Sequence, residues 1–340
     1  MMNPLLRQPP NRLMAGGAIL FFTLFMFFVS KSHNLSMPGL SRTAAAPSMY
    51  NQSKVALLVE DRPQPLLAPL LLHFIYSLPA DWTFRFMGSY KSVRHLAKSA
   101  AIREHVRAGK LDLTYTPFNM STKGQEMISR FLTTLWLYDT VLQPAELLLV
   151  FQSDSMVCSN CKHHLDEYLD YDWVGAPWNA QGNWGGNGGL SLRRVSRIVD
   201  VLQKQKRKED SDPEDVWLSE RLGHHATGKV ANGSVSLTFS GEINGGEVER
   251  IDPDSDYTIH GGELSLEGAG PADFVAGIDD WRNGFYEPMG YHIGGTGYMH
   301  GGIWGTRDKR KHIYQYCPEA KMILQMDMAN YVPGDCGNDW

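Results

Sequence analysis

The chain has 340 residues, of which 43% are hydrophobic and 11% aromatic, and this apolar content is enough for one large domain or two small ones. The formal net charge is −5 and the pI is about 6.2. Nucleic-acid-binding proteins present a basic face or tail, so this balance argues against nucleic acid as a partner.

The N-terminal residues 13–29 form an uncharged and almost wholly apolar run. The apolar core of a cleaved signal peptide is usually shorter, roughly 7–15 residues, whereas a membrane-spanning helix needs roughly 17–25. Arg7 and Arg12 precede the run and favour a cytoplasmic N-terminus. We therefore expect a cytoplasmic tail over 1–12, an uncleaved transmembrane signal anchor over 13–29 and a flexible, Ser- and Pro-rich stem over 30–53.

This orientation would place the rest of the chain in the lumen of the Golgi or the endoplasmic reticulum, as in a single-pass type II membrane protein. Four Asn-x-Ser triplets are potential glycosylation sites in that compartment, and they begin at Asn34, Asn51, Asn119 and Asn232. The four cysteines are too few for a disulfide scaffold. Cys158 and Cys161 are spaced for a local disulfide or two packed thiols rather than a metal site. Cys317 and Cys336 can pair with each other.

The folded body opens at residue 54 and alternates apolar runs with helical patterns. Strands are predicted at 55–59, 83–87, 111–114 and 147–151, and helices at 66–78, 93–107 and 125–141. This alternation predicts an α/β fold with a mainly parallel sheet, in which ligands bind beyond the carboxyl ends of the strands. Glu60 and Arg62 follow the first predicted strand, and Ser153 and Asp154 follow the fourth.

The alternation is lost after residue 155. Segment 182–189 is a Gly-, Asn- and Trp-rich loop, and helices are predicted at 193–206 and 215–222. Residues 223–271 are rich in Gly, Ser and acidic groups, and we expect them to form an inserted loop region within a domain that spans 54–300. The remainder, 301–340, is expected to be a C-terminal peripheral segment.

Four groups of residues in this pattern can carry chemistry. A carboxylate just past a buried strand, Asp154, suits a hard cation such as Mg²⁺ or Mn²⁺, or caps the following turn. The glycines of 185–189 let a backbone approach a substrate closely, although Gly-rich stretches are usually turns. Asp215, beside Glu214 at a predicted helix start, can act as a general base. Alternatively the segment is only a helix N-terminus, in which Asp212 is the cap and Glu214 and Asp215 follow it. The imidazole of His292 can complete a carboxylate metal site or simply pack.

The order of these motifs is more informative than any one of them. The matching stretches are VALLVEDR (55–62), FQSDS (151–155), YDWVGAP (171–177), NGGLSLR (187–193), EDVW (214–217) and PMGYH (288–292). A strand-end Asp, a Gly-rich loop, a Glu-Asp pair and a late His, in that order, resemble the functional elements of GT-A glycosyltransferases. The chain is similar, more closely, to a glycosyltransferase-like family otherwise described as a domain of unknown function.

The resemblance implies a GT-A (Rossmann-like) fold, in which a nucleotide-binding α/β half is joined to an acceptor half. Asp154 would correspond to the metal-binding Asp-x-Asp motif and His292 to a further ligand, but Gln152 stands at the first acidic position of that motif. The resemblance also implies Asp215 as the base that activates an acceptor hydroxyl and Glu214 as an acceptor contact. The donor site would be lined by Glu60, Arg62, Ser153, Trp178, Asn187, Gly188 and Gly189.

The function implied is transfer of a sugar from a nucleotide-sugar donor to a hydroxyl group of a glycan or protein, dependent on Mn²⁺ or Mg²⁺ and with inversion at the anomeric carbon. A different class of function stays open. This alternative is a catalytically silent, membrane-tethered protein that binds a carbohydrate or a nucleotide-sugar on the same fold. It is motivated by Gln152, a neutral residue in the place of an acid.

Overall fold

The computed structural model describes residues 49–183, 185–245, 280–282, 284–293 and 300–324. The predicted anchor, most of the predicted stem, Asn34, Cys336 and the second half of the predicted inserted region lie outside the described residues. Within the described ranges, no helix has the length and apolar character needed to cross a bilayer.

The described chain contains two β-sheets. Its strands are β1 (Asn51–Val59), β2 (Trp82–Gly88), β3 (Leu111–Tyr115), β4 (Leu147–Phe151), β5 (Ser155–Val157), β6 (Trp173–Ala176), β7 (Asn187–Arg194), β8 (Ser240–Gly241) and β9 (Gly290–His292). The larger sheet has the order β3-β2-β1-β4-β7-β6, and the smaller one has the order β5-β9-β8. Neighbours among β1 to β4 are parallel, whereas β7 is antiparallel to both β4 and β6. The predicted α/β class is confirmed, and the sheet is mixed.

Helices connect these strands. They are α1 (Leu67–Ser77), α2 (Tyr90–Leu96), α3 (Ala100–Arg107), α4 (Gln125–Leu132), α5 (Val195–Lys204), α6 (Glu214–Gly223), α7 (Gly233–Phe239), α8 (Gly301–Trp304) and α9 (Arg307–Tyr316). A π-helical turn covers Leu137–Val141, and short 3₁₀ turns cover Leu165–Tyr168, Asp280–Arg282 and Pro318–Met322. The helix predicted over 93–107 is two helices, because the side chain of Ser99 accepts a hydrogen bond from the backbone of Ile102 and begins a new one.

Both faces of the larger sheet are buried, which explains why its central strands are continuously apolar. Along β1, Ala56 and Leu58 point into one core while Val55 and Leu57 point into the other. In the first core the rings of Phe74 and Phe151 stack with their centroids 3.9 Å apart. This two-sided burial fixes the position of the loops at the carboxyl ends of β1 and β4.

Two strands of the larger sheet, β6 and β7, were not predicted from the sequence, and neither were the three strands of the smaller sheet. The prediction assigned 182–189 to a loop and 193–206 to a helix, whereas β7 runs from Asn187 to Arg194 and α5 begins only at Val195. Glycine is a poor strand former, so the pattern hid the start of β7. The strand is stabilised instead by its pairing with β4, in which Phe151 lies opposite Leu190.

The cysteine pairing also differs from expectation. Cys158 forms a disulfide with Cys317, and Cys161 is a free thiol, so the predicted local pair and the pair with Cys336 are both wrong. Cys317 reaches Cys158 because the chain after residue 300 packs on the main core through Ile303, Trp304 and Tyr316.

Candidate active site

The carboxyl ends of β1 and β4 bring Glu60 and Ser153 together. Leu58 pairs with Phe151 in the parallel register, so the residues two positions further along are neighbours beyond the sheet edge. The hydroxyl of Ser153 donates to Glu60 Oε2 at 3.3 Å. Arg62 donates to Glu60 through its backbone N–H at 2.8 Å, Nε at 2.9 Å and Nη2 at 2.7 Å. The side chain of Arg62 is 72% exposed, so its guanidinium is anchored on one side and open to a ligand on the other.

Asp154 and His292 meet because β5 pairs with β9. Ser155 lies opposite His292, and the backbone N–H of Ile293 donates to the carbonyl of Asp154 at 3.0 Å. In this arrangement Nε2 of His292 is 3.4 Å from Oδ1 of Asp154. Nδ1 of the same ring is 3.2 Å from Oε1 of Glu242, which directly follows β8. The His292 side chain is 3% exposed, and neither ring nitrogen makes a well-formed hydrogen bond within the described chain.

The two carboxylates control the charge of this buried ring. Burial lowers the pKa of His292, but Asp154 and Glu242 outweigh it and raise the pKa to about 10. Burial opposes ionisation of Asp154 as well, yet contact with His292 keeps the pKa of that carboxyl below its usual value. In the absence of another cation, the ring is therefore an imidazolium between two carboxylates.

The donor atoms at Asp154 and His292 fit a divalent cation. Oδ1 of Asp154 and Nε2 of His292 face each other at 3.4 Å. Nδ1 of the ring faces the carboxylate of Glu242, as the second nitrogen does in most metal-bound histidines. A cation would take the place of the imidazolium proton. Nowhere in the described part of the chain are three or more His, Cys, Asp or Glu side chains grouped to hold an ion. Mg²⁺ and Mn²⁺ would accordingly need substrate oxygens or water to complete their coordination.

Segment 187–189 at the start of β7 lies against this pair. Asn187 accepts a hydrogen bond from the Gly189 N–H at 2.6 Å, and its amide donates to Glu242 Oε1 at 3.2 Å. The carbonyl of Gly189 accepts from the Gln152 N–H at 2.8 Å and from the Ser155 hydroxyl at 2.7 Å. A Cβ at Gly189 would overlap the imidazole of His292. Glycine at this position thus allows the ring to reach Asp154.

Asp215 contacts the same segment from the other side, at the N-terminus of α6. Its Oδ2 accepts from the Gly188 N–H at 3.0 Å and its Oδ1 from the Val216 N–H at 2.9 Å. The side chain is only partly buried, so lone pairs of a carboxylate at a helix N-terminus remain open to a ligand. A carboxylate held in this way can accept a proton from a bound group.

Glu214 is held differently from Asp215. Its two oxygens accept from the guanidinium of Arg193 at 2.9 and 3.1 Å, and the Arg193 side chain is completely buried. Arg193 also donates to the carbonyl of Gly188 at 3.0 Å and stacks on Trp173 at 4.4 Å. Burial raises the pKa of Glu214 to about 7 against the opposing charge of Arg193, and Asp215 adds to the rise. Glu214 thus contacts Arg193, whereas the resemblance implied a contact with the acceptor.

Trp178 lies beside the loop that leads into β7. Its ring packs against Gly185, two residues before Asn187, and its carbonyl accepts from Asn244 at 3.0 Å. The sequence pattern gave no role to two residues that the geometry makes central, Glu242 and Arg193. Glu242 lies in a segment rich in Gly and acidic residues and had no distinguishing signal. Arg193 did have one, because β7 ends on two charged residues, Arg193 and Arg194, after six uncharged ones.

Comparison with known proteins gives a family of unknown function and a set of enzyme structures. A family model described as "Protein of unknown function (DUF5672)" matches residues 110–254. None of the curated proteins matches the chain.

The solved structures that are similar include three glycosyltransferases. The apo form of GlyE from Streptococcus pneumoniae is 12% identical, with 45% of this chain and 37% of that chain covered and a TM-score of 0.31. The mannosyltransferase PcManGT from Pyrobaculum calidifontis, in complex with GDP-Man and Mn²⁺, is 13% identical, with 60% and 61% covered and a TM-score of 0.34. An active-site mutant of LgtC is 13% identical, with 84% and 98% covered and a TM-score of 0.38. The chain spans less than two thirds of the GlyE and PcManGT chains.

Proposed function

We propose that this protein is a glycosyltransferase of the GT-A type that moves a sugar from a nucleotide-sugar to a hydroxyl group, with inversion and with Mn²⁺ or Mg²⁺ at Asp154 and His292. One observation carries the proposal. The three-residue segment 187–189 contacts Asp215 through the Gly188 N–H, and it packs against His292 through Gly189. A candidate base and a candidate cation site thus flank one glycine-rich strand start, at the sheet edge where ligands of α/β proteins bind.

The nucleotide side of the donor would lie against Glu60, Arg62 and Ser153. The exposed guanidinium of Arg62, oriented by two hydrogen bonds to Glu60, is suited to a phosphate or to the edge of a base. A divalent cation at Asp154 and His292 would neutralise the charge of the diphosphate leaving group. The donor sugar would lie next to Asn187, Gly188 and Gly189, where the absence of side chains leaves room for its ring.

Asp215 would act as the general base on the acceptor. It takes the proton of the acceptor hydroxyl while that oxygen bonds to the anomeric carbon and the bond from this carbon to the diphosphate oxygen breaks. Attack from the side opposite the leaving group gives inversion. Glu214 would not touch the acceptor but would hold Arg193. Arg193 in turn donates to the carbonyl of Gly188, and the N–H of the same glycine orients Asp215.

The proposal includes a luminal catalytic domain tethered by residues 13–29 in the Golgi or the endoplasmic reticulum. The Cys158–Cys317 disulfide supports it, because disulfides persist in oxidising compartments. Protease treatment of sealed microsomes that contain the full chain tests the topology. We expect residues 54–340 to be protected, and digestion of this region without detergent contradicts the assignment.

A donor screen tests the activity. The full chain is incubated with a panel of UDP-, GDP- and CMP-sugars, with Mn²⁺ or with EDTA, and release of the free nucleotide is measured. We expect release from one donor class, dependent on the cation.

A catalytically silent binding protein is the second candidate, favoured by the neutral Gln152 at a position where the resemblance implies an acid. Calorimetry separates the two functions. Binding of a nucleotide-sugar with no release on any acceptor supports the silent protein and contradicts the transferase.

A further inference from the structure

Glu242 is a buried carboxylate for which the proposed mechanism has no role. Its side chain is 7% exposed, and Oε1 faces His292 Nδ1 at 3.2 Å. The same oxygen accepts from the amide of Asn187 at 3.2 Å, while Oε2 has no hydrogen-bond partner among the described residues. Burying an ionised carboxylate with so few hydrogen bonds is costly. A carboxylate at this position therefore needs an explanation other than stability.

The contact with His292 supplies one explanation. A histidine that binds a cation through one nitrogen usually directs the other nitrogen to a carboxylate, which fixes the ring orientation and makes the ligand more basic. Here Nε2 faces Asp154 and Nδ1 faces Glu242. The charge contact with Glu242 on one side of the ring thus leaves Nε2 directed at the candidate cation site.

The contact with Asn187 supplies a second explanation for the buried carboxylate of Glu242. The amide nitrogen of Asn187 donates to Glu242, and its amide oxygen accepts from the N–H of Gly189. Gly189 in turn packs against the ring of His292. One carboxylate therefore faces the ring of the histidine and is hydrogen-bonded to the strand start where the donor sugar would lie.

We propose that Glu242 is a positioning residue that orients His292 for a divalent cation and fixes segment 187–189 for the donor. The inference rests on the proposed function, since it takes Asp154 and His292 as the cation site. It goes beyond the proposed function in assigning Glu242 a role through its contacts with His292 and Asn187.

The chain offers a matched control in a second buried Glu–His pair. His312 Nε2 lies 2.9 Å from Glu287 Oε1, with side-chain exposures of 2% and 11%. The His312 ring stacks on Phe285 at 4.1 Å. Loss of the carboxylate from either pair removes a similar buried contact, but only Glu242 adjoins the candidate cation site.

The experiment measures Mn²⁺ affinity in the absence of any donor. Free Mn²⁺ is titrated by electron paramagnetic resonance into the full-length wild type and the variants Glu242→Gln, Glu287→Gln and Asp154→Asn, each checked for folding by circular dichroism. We expect Glu242→Gln to weaken Mn²⁺ binding by about 10- to 100-fold, the usual effect of losing such a partner. Asp154→Asn should weaken it at least as much, and Glu287→Gln should leave it unchanged. Glu242→Asp, which keeps the charge, should recover part of the affinity.

The outcomes separate this inference from the proposed function. Wild-type Mn²⁺ affinity in Glu242→Gln, with binding lost in Asp154→Asn, overturns the role of Glu242 and leaves the cation site standing. A wild type that binds no Mn²⁺ overturns the cation site and this inference together. Should Glu242→Gln fail to fold, Glu242→Asp decides, because it keeps the charge but withdraws the carboxylate from the ring of His292 and should bind Mn²⁺ more weakly than the wild type. Unchanged Mn²⁺ affinity in that variant also overturns the proposal.

Discussion

Nε2 of His292 lies 3.4 Å from Oδ1 of Asp154, and no side chain at Gly189 separates the ring from the strand it packs on. His292 is the last residue of β9, and Asp154 lies in the turn between β4 and β5. The pairing of β5 with β9 in the small sheet brings the two residues together. Their contact depends on a close approach that only glycine permits.

Substitution of Gly189 tests that approach. In Gly189→Ala the new methyl group would overlap the imidazole, so His292 must move away from Asp154. We expect nucleotide release and Mn²⁺ affinity to fall by about tenfold or more. Gly301→Ala is the control, since a Cβ there meets nothing within 4 Å. Equal activity of Gly189→Ala and the wild type is the contrary result.

The buried pair of Arg193 and Glu214 should respond asymmetrically to mutation. Glu214→Ala leaves the buried guanidinium without its counter-ion, and we expect the free energy of unfolding to fall by about 3–5 kcal/mol in urea denaturation. The double variant Arg193→Met, Glu214→Leu removes both charges and should recover part of that loss. A double variant that is less stable than the single one contradicts the expectation.

The disulfide between Cys158 and Cys317 ties α9 to the turn after β5. Cys317→Ala should lower the free energy of unfolding by about 2–4 kcal/mol, whereas Cys161→Ala should have little effect because Cys161 is a free thiol. Peptide mapping without reduction gives the pairing directly. A linked Cys158–Cys161 peptide would show the pairing described here to be wrong.

A pH dependence is expected from Glu126, which contacts Arg207 at 2.6 Å and Arg130 at 2.8 Å. Arg207, followed by Arg130, lowers the pKa of Glu126 to about 2, below the value of about 4.3 in an unfolded chain. The stabilisation is therefore complete above about pH 4.3 and is lost as the pH falls through 2. Arg207 also donates to the carbonyls of Ser211 and Asp212, so the pair anchors the loop before α6.

Urea midpoints of the wild type and Glu126→Gln measure this effect. The wild type should be the more stable at pH 5, and the difference should close towards pH 2. Glu104→Gln serves as the control, because Glu104 and its partner Arg107 are both 67% exposed and should contribute little. A difference that is constant with pH argues against the Glu126 interaction.

Strands β1, β2 and β4 were predictable from the sequence because each is a short, largely apolar run that the fold buries. Strand β3 lies at the edge of the sheet, and its residues 111–114 alternate apolar and polar side chains. The four strand-end residues Glu60, Arg62, Ser153 and Asp154 followed from the same rule, since parallel strands bring their carboxyl ends to one edge. The boundary of β7 was not predictable. Its first residues are Asn187, Gly188 and Gly189, and glycine has a low strand propensity. The two glycines are needed there because a side chain would overlap Glu214 or His292.

The long-range partners were also beyond the reach of the sequence. Nothing in the spacing joins Glu242 to His292, Arg193 to Glu214, or Cys158 to Cys317, because each contact depends on how distant segments pack. The sequence also does not distinguish the roles of the neighbouring residues Glu214 and Asp215. Both are acidic residues at a helix start, and only the surrounding structure distinguishes a buried counter-ion from a partly exposed carboxylate.

The central claim is that Asp154 and Asp215 together support sugar transfer, and the most direct measurement is cation-dependent nucleotide release by the full chain. With the donor found active for the wild type, Asp154→Asn and Asp215→Asn should each reduce the rate by about 10²-fold or more. Asp212→Asn, at an exposed carboxylate three residues before Asp215, should keep the wild-type rate. Wild-type release in both Asp154→Asn and Asp215→Asn would contradict the account.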